Sequence, residues 1–126
     1  MKLIYVAHPF GGDQRNADSA EQICAEFMKI FDAIFWAPWL PLVRNWRNNA
    51  ESLERGLAID IECVKRSDQV WFVLVNGVMS PGQEVESAAA IEANIPRFYF
   101  TPDQIAALPN DSPILFAALQ EAIKSK

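Results

Sequence analysis

The sequence predicts an α/β domain in three layers, α/β/α, built around a four- or five-stranded parallel sheet. Three observations carry this expectation. Short β-branched and aromatic runs, KLIYVA at residues 2–7 and QVWFVLV at 69–75, alternate with longer segments whose apolar residues recur at spacings of three and four. The elements follow the order β-α-β-α-β-α-β-α, which calls for parallel strands joined by helical crossovers. The run at 69–75 is apolar almost without interruption, the pattern of a strand covered on both faces.

Each element has its own warrant. Residues 2–7 read as a buried strand ending in the turn His8-Pro9-Phe10-Gly11-Gly12. Asn16 or Asp18 caps a helix reaching Phe31, with Ile23, Phe27, Ile30 and Phe31 on its inner face. Residues 33–36 form a second short strand stopped by Pro38. Residues 37–49 read as a long loop holding two prolines and the tryptophans Trp39 and Trp46, and loops of that length are usually functional. Residues 51–66 are helical, with Leu53, Leu57, Ile61 and Val64 on one side. After the strand at 69–75 come a turn (76–81), an alanine-rich helix (82–94) and a strand at 97–100. Thr101-Pro102 then opens a helical turn, and Ser112-Pro113 opens the last helix with proline at its first position. The whole is flavodoxin- or Rossmann-like. In such sheets ligands sit beyond the C-terminal strand ends where the strand order reverses, which selects the loops 8–15, 37–49 and 76–82.

The 126 residues suit one domain, 1–126, and 51% apolar residues supply a core and exclude a disordered chain. Eleven Lys and Arg against sixteen Asp and Glu leave a net charge of −5, so no basic stripe serves duplex nucleic acid. A small phosphorylated ligand stays open, because helix N-termini bind phosphate without net positive charge. Cys24 and Cys63 are far apart, and His8 is the sole histidine, so neither a disulfide framework nor a zinc set is expected; both cysteines read as small buried hydrophobes. The longest charge-free stretch, 69–83, is too short and too polar for a membrane span, and no signal segment is evident. A soluble, cytoplasmic protein without metal or cofactor is expected.

Two carboxylates stand where apolar residues belong. Projected as a helix, residues 51–66 place Asp60 among Leu53, Leu57, Ile61 and Val64, while Glu62 points to water. Residues 82–94 place Glu86 among Val85, Ala89, Ala90 and Ala93. Acids on packed faces are rare because desolvating a charge is costly. Two of them on helices flanking one central strand suit glycosidic-bond chemistry, in which one carboxylate attacks or stabilises the anomeric carbon while another group handles the proton. Ser80-Pro81-Gly82, just ahead of Glu86, supplies a hydroxyl and a close backbone approach at a helix start.

These residues resemble the nucleoside 2-deoxyribosyltransferase superfamily, which includes 2′-deoxynucleoside 5′-phosphate N-hydrolases. The similarity covers about residues 4–96 through three motifs: Ile4-Tyr5-Val6-Ala7 with its following loop, Asp60 with Asp68 ahead of the apolar strand, and Ser80-x-Gly82-x-x-x-Glu86 closing with Asn94-Ile95-Pro96. The resemblance implies that Glu86 is the nucleophile, that Tyr5 positions it, and that Asp60 contacts the sugar or moves a proton. Ser80 and Gly82 would hold the 5′ end, with His8, Gly11 and Arg15 contributing from the first loop. A serine at position 80 goes with the phosphate-binding hydrolases. The resemblance also implies a homo-oligomer. The function expected is cleavage of the N-glycosidic bond of a 2′-deoxynucleoside or its 5′-monophosphate, by hydrolysis or base transfer. The alternative is a non-catalytic nucleotide-binding protein using the same cleft. Trp36, Trp39 and Trp46 are expected in the core or at a subunit surface. A receiver domain would need acids where His8-Pro9 stands, and a flavodoxin a phosphate loop that Pro9-Phe10-Gly11-Gly12 does not supply.

Overall fold

The computed structural model describes residues 1–45 and 50–125. Along the chain lie β1 (Leu3–Ala7), α1 (Gln14–Ile30), β2 (Ile34–Trp36), α2 (Leu40–Asn45), α3 (Ala50–Arg66), β3 (Gln69–Val73), a 3-10 turn at Val75–Gly77, α4 (Pro81–Glu92), β4 (Arg97–Phe100), α5 (Pro102–Ala106) and α6 (Pro113–Lys124). The sheet has the order β2-β1-β3-β4 with every neighbouring pair parallel. The chain therefore steps outward from β1 to β2, crosses back to β3 and continues to β4. The reversal falls between β1 and β3, where Tyr5 pairs with Val70 and Ala7 with Phe72. This is the α/β architecture the alternating pattern predicts, with four strands among the described residues.

The pleat sends alternate residues to opposite faces. On one face Trp71 meets Phe27 and Phe31 of α1, with ring centroids 5.3 and 5.4 Å apart, and Phe35 of β2 at 5.0 Å. Phe116 of α6 closes on Phe31 at 5.0 Å, and the Gln69 amide donates to the Ala122 carbonyl, tying α6 to β3. The other face carries Tyr5 and Phe72 toward α4. Phe72 stacks on Tyr99 at 5.0 Å, and the Tyr5 hydroxyl meets Glu86. The edge-to-face pairs of Trp71 with Phe27, Phe31 and Phe35 add about 0.5–1.5 kcal/mol each beyond their buried area.

Several boundaries depart from the sequence expectation for local reasons. The α1 cap is Asp13, not Asn16 or Asp18. Its carboxylate accepts from the Arg15 amide at 2.9 Å, while the Asn16 side chain turns back to the Phe10 carbonyl. Gly11 and Gly12 hold φ of 58° and 75°, and that tight turn starts the helix earlier. The long loop after β2 contains α2, anchored by Arg44, whose guanidinium bridges Asp18 and Glu21 on α1. Trp46 lies outside the described residues. β3 stops at Val73, because Asn76 and Gly77 take φ of 60° and 72°. Cys24 is buried as expected, whereas Cys63 is half-buried.

Two helix faces also differ. Val64 is fully buried, but Leu53 and Leu57, at 56% and 38% exposure, are not core. The second half of α3 packs on the sheet while its first half stands clear. On α4 the buried residues are Gln83, Glu86, Ser87, Ala89 and Ala90, with Val85 half-buried and Ala93 exposed. Alanines define no strong face, so the polar anchors described next decide which side turns inward.

Candidate active site

The ends of β1 and β3, where the strand order reverses, open on a pocket of about 560 Å³. α4 starts at its wall. Ser80 caps the helix, its hydroxyl accepting from the Gln83 amide at 3.2 Å while the Gln83 side chain accepts from the Ser80 amide at 2.9 Å. This reciprocal box satisfies two helix-start donors, and Pro81 at the first helical position lacks a third. Gln83 does more than cap. Its amide nitrogen also donates to the Ala7 carbonyl at 3.0 Å and the Val73 carbonyl at 2.7 Å, the terminal carbonyls of β1 and β3. A residue only 1% exposed thus keys α4 onto both strand ends.

One turn further along α4, Glu86 is 6% exposed and lines the pocket. The hydroxyl of Tyr5, wholly buried in β1, donates to Glu86 Oε2. Burial drives the Glu86 carboxyl up to about 8, the Tyr5 hydrogen bond opposes that rise, and the nearby charge of Asp60 adds to it. The Tyr5 phenol is itself pushed well above its ordinary value, first by burial and then by Glu86 and Asp60, so it remains a donor.

Asp60 reaches the same pocket from α3. Burial raises its carboxyl to about 7, and its Oδ1 is buried with no hydrogen-bond partner. An unsatisfied buried acceptor costs about 1–3 kcal/mol, and an orphan of that kind in a pocket wall is a position for a ligand's donor or for a proton. The charge of Asp60 makes ionisation of Glu86 harder, a smaller effect than burial. The chemical capability of the arrangement is a carboxyl dyad in a low-dielectric hollow, one member held by a phenol and the other free to exchange a proton.

The structure brings Glu86, Asp60, Ser80, Gly82, His8 and Gly11 to one pocket, with Tyr5 behind Glu86. It does not bring Arg15 there. That guanidinium is exposed and forks onto the Asp13 carboxylate at 2.8 Å, because the earlier helix start places the two side by side. His8 is buried; its Nδ1 donates to the Pro9 carbonyl at 2.7 Å, and burial lowers its pKa, which leaves Nε2 as an acceptor. Trp39 is buried, lines the pocket and donates to the Val6 carbonyl at 3.0 Å, whereas Trp36, half-buried, donates to Ser67. The rest of the wall is largely apolar, including Phe10, Leu42, Val43, Leu53 and Leu57, with Gly56 among them. Gln83 and Gly56 escape the sequence reading. The Ser80-x-x-Gln83 spacing is a capping-box signature that could have found the first; for Gly56 the only signal is a glycine inside a helical pattern.

Among solved structures, the chain is similar to a 2-deoxyribosyltransferase from the psychrotolerant bacterium Bacillus psychrosaccharolyticus, described as a biocatalyst for nucleoside synthesis. The TM-score is 0.58 at 19% identity, over 79% of this chain and 72% of that one. At that identity the likeness is one of fold. No curated protein matches the chain. Residues 2–100 match the model of the family described as Domain of unknown function (DUF7768), and the chain belongs to that family.

Proposed function

We propose that this protein cleaves the N-glycosidic bond of a 2′-deoxynucleoside, with Glu86 as nucleophile. The observation that carries the reading is the buried Glu86 carboxyl, bonded to Tyr5 and sharing its pocket with the unpartnered Asp60 Oδ1. In the working form the dyad holds one proton, on Asp60; because burial lifts Glu86 to about 8 and Asp60 to about 7, this is the minor of the two one-proton forms. The Glu86 carboxylate attacks C1′, and the C1′–N bond breaks as its electron pair leaves with the base. Asp60 gives that base its proton. Water, or a second base, then attacks C1′ and displaces the Glu86 carboxylate, while Asp60 recovers a proton. Tyr5 orients Glu86 and bears part of its charge.

Three features favour the free nucleoside over its 5′-monophosphate. Arg15 is engaged by Asp13, the described residues lining the pocket include no lysine or arginine, and Pro81 removes an amide from the α4 start. The Ser80 hydroxyl, which accepts from Gln83, keeps its own proton for a neutral 5′-hydroxyl. The rival reading is a nucleotide binder without turnover, favoured by a Glu86 carboxyl that burial holds largely protonated near neutrality.

Incubation with a panel of deoxynucleosides and their monophosphates, followed by chromatography, tests the proposal. Free base is expected from at least one nucleoside, with kcat lower by about 10³-fold or more in Glu86→Ala. No release from any substrate, or release undiminished in that variant, refutes the mechanism, and calorimetric binding without release supports the rival.

A further inference from the structure

Gly56 stands in the interior of the seventeen-residue α3, where glycine is a poor helix former and lowers stability relative to alanine. The backbone does not require it, since Gly56 is not among the glycines with positive φ. Its surroundings supply a different reason. Ser52, Gly56 and Asp60 are spaced by four, so they form one stripe along α3; Leu53 and Leu57 form the adjacent stripe, and all five line the pocket. The two leucines are 56% and 38% exposed although they belong to the apolar side of the helix. At the end of this stripe stands Asp60, with Oδ1 buried and unpartnered. The pocket wall here is the half-buried Gly56, without a side chain, beside two exposed leucines and one turn from a carboxyl.

We propose that Gly56 is the floor of the base subsite: the planar ring of the nucleobase lies across the side-chain-free backbone at Gly56, against Leu53 and Leu57, and the missing side chain sets the size of base admitted. The proposal rests on the nucleoside reading above and deepens it. A flat ring covers both leucines and needs close approach to the helix, which a methyl would hinder and a larger side chain would block. Asp60, one helical turn away, then stands at the edge of the ring, where the departing base takes its proton. A bicyclic purine reaches further across the floor than a pyrimidine, so purines depend on Gly56 more.

The test compares the wild type with Gly56→Ala and Gly56→Leu. Kinetics of base release are measured on a purine and a pyrimidine deoxynucleoside, together with calorimetric binding of adenine and thymine, melting temperature and molecular mass in solution. Gly56→Ala is expected to melt higher by roughly 3 °C, from helix propensity, while KM rises a few-fold. Gly56→Leu is expected to raise KM for the purine substrate at least about 30-fold, the pyrimidine less, with kcat within about three-fold. An unchanged KM and base affinity in Gly56→Leu overturns the proposal. A lower melting temperature in Gly56→Ala also does so, since the glycine would then serve helix packing, as does a change of molecular mass at unaltered KM, since a second copy would then cover the leucines. If the wild type binds adenine without turnover, the cleavage reading fails and the Gly56 variants are judged by adenine affinity alone. If it binds neither base nor nucleoside, both fall.

Discussion

The two faces of the sheet are built on opposite principles. Between α1, α6 and the sheet, Trp71 is wedged among Phe27, Phe31, Phe35, Phe98 and Phe100 with ring centroids 5.0–6.0 Å apart, and its indole nitrogen donates to Gln69 at 2.9 Å. The rings packed around Trp71 are all uncharged. Toward α3 and α4 the same strands present a phenol to a buried carboxyl, beside a second carboxyl with an unpartnered oxygen. The first face gains stability from dense aromatic contact. The second gives up stability to hold one acid buried and another half-buried at the same pocket, the cost expected of the face proposed above to do the chemistry.

Breaking the aromatic face gives the largest effect. Trp71→Ala removes the ring that five phenylalanines share and is expected to cost about 3–5 kcal/mol, read by urea denaturation, with the remaining folded protein keeping its pocket chemistry. A loss below about 1 kcal/mol would mean the face is not the main store of stability.

The polar face responds in the other direction. The Glu86 carboxyl ionises near 4.5 when unfolded and at about 8 in the fold. Its protonated form is therefore the one the fold favours: stability is full below about pH 4.5 and declines as the pH rises toward 8. Glu86→Gln removes the titration and should raise stability at pH 8 by on the order of 4 kcal/mol, with the gain vanishing near pH 4. Thermal melts at the two pH values decide it; an equal change at both would contradict the assignment.

Tyr5→Phe sharpens the contrast. The phenol bond opposes the rise of the Glu86 pKa, so its loss raises that pKa further. The pH profile of kcat/KM, expected as a bell with limbs at about 7 and 8, should have its upper limb, that of Glu86, moved to higher pH in this variant. The rate at neutral pH should fall by roughly ten-fold. A profile unmoved by the substitution would leave Tyr5 as packing only.

The smallest effect is local. Ser80→Ala removes the α4 cap and is expected to cost about 1 kcal/mol. If Ser80 also binds the 5′-hydroxyl, KM rises beyond what a melting curve explains, and rescue by Ser80→Thr separates the two roles.

Much of the fold was legible in the residues. The β4 run 97–100 and the Ser112-Pro113 start of α6 follow from residue type and proline position, and parallel pairing follows from alternation. The acids at 60 and 86 were visible as charges inside apolar stripes, because helical periodicity is local. Less legible were features that depend on one segment meeting another. Asp13 replaced Asn16 and Asp18 as the cap because two glycines tightened the preceding turn. α2 formed where prolines suggested a loop, since Arg44 found Asp18 and Glu21 on α1. Arg15 left the pocket for the same local reason that Asp13 became the cap.

What the sequence determined alone was the period of each element, the parallel order of the strands and the presence of acids on inward faces. These rest on spacing along one segment, which sterics and backbone hydrogen bonding translate directly into geometry. Tertiary structure decided the rest: which side of α4 turns inward, that the Gln83 amide joins the ends of β1 and β3, and that Tyr5 reaches Glu86 across 81 positions. An alanine-rich helix has little apolar contrast to orient it, so its rotation is set by the few polar groups that must find partners once water is excluded.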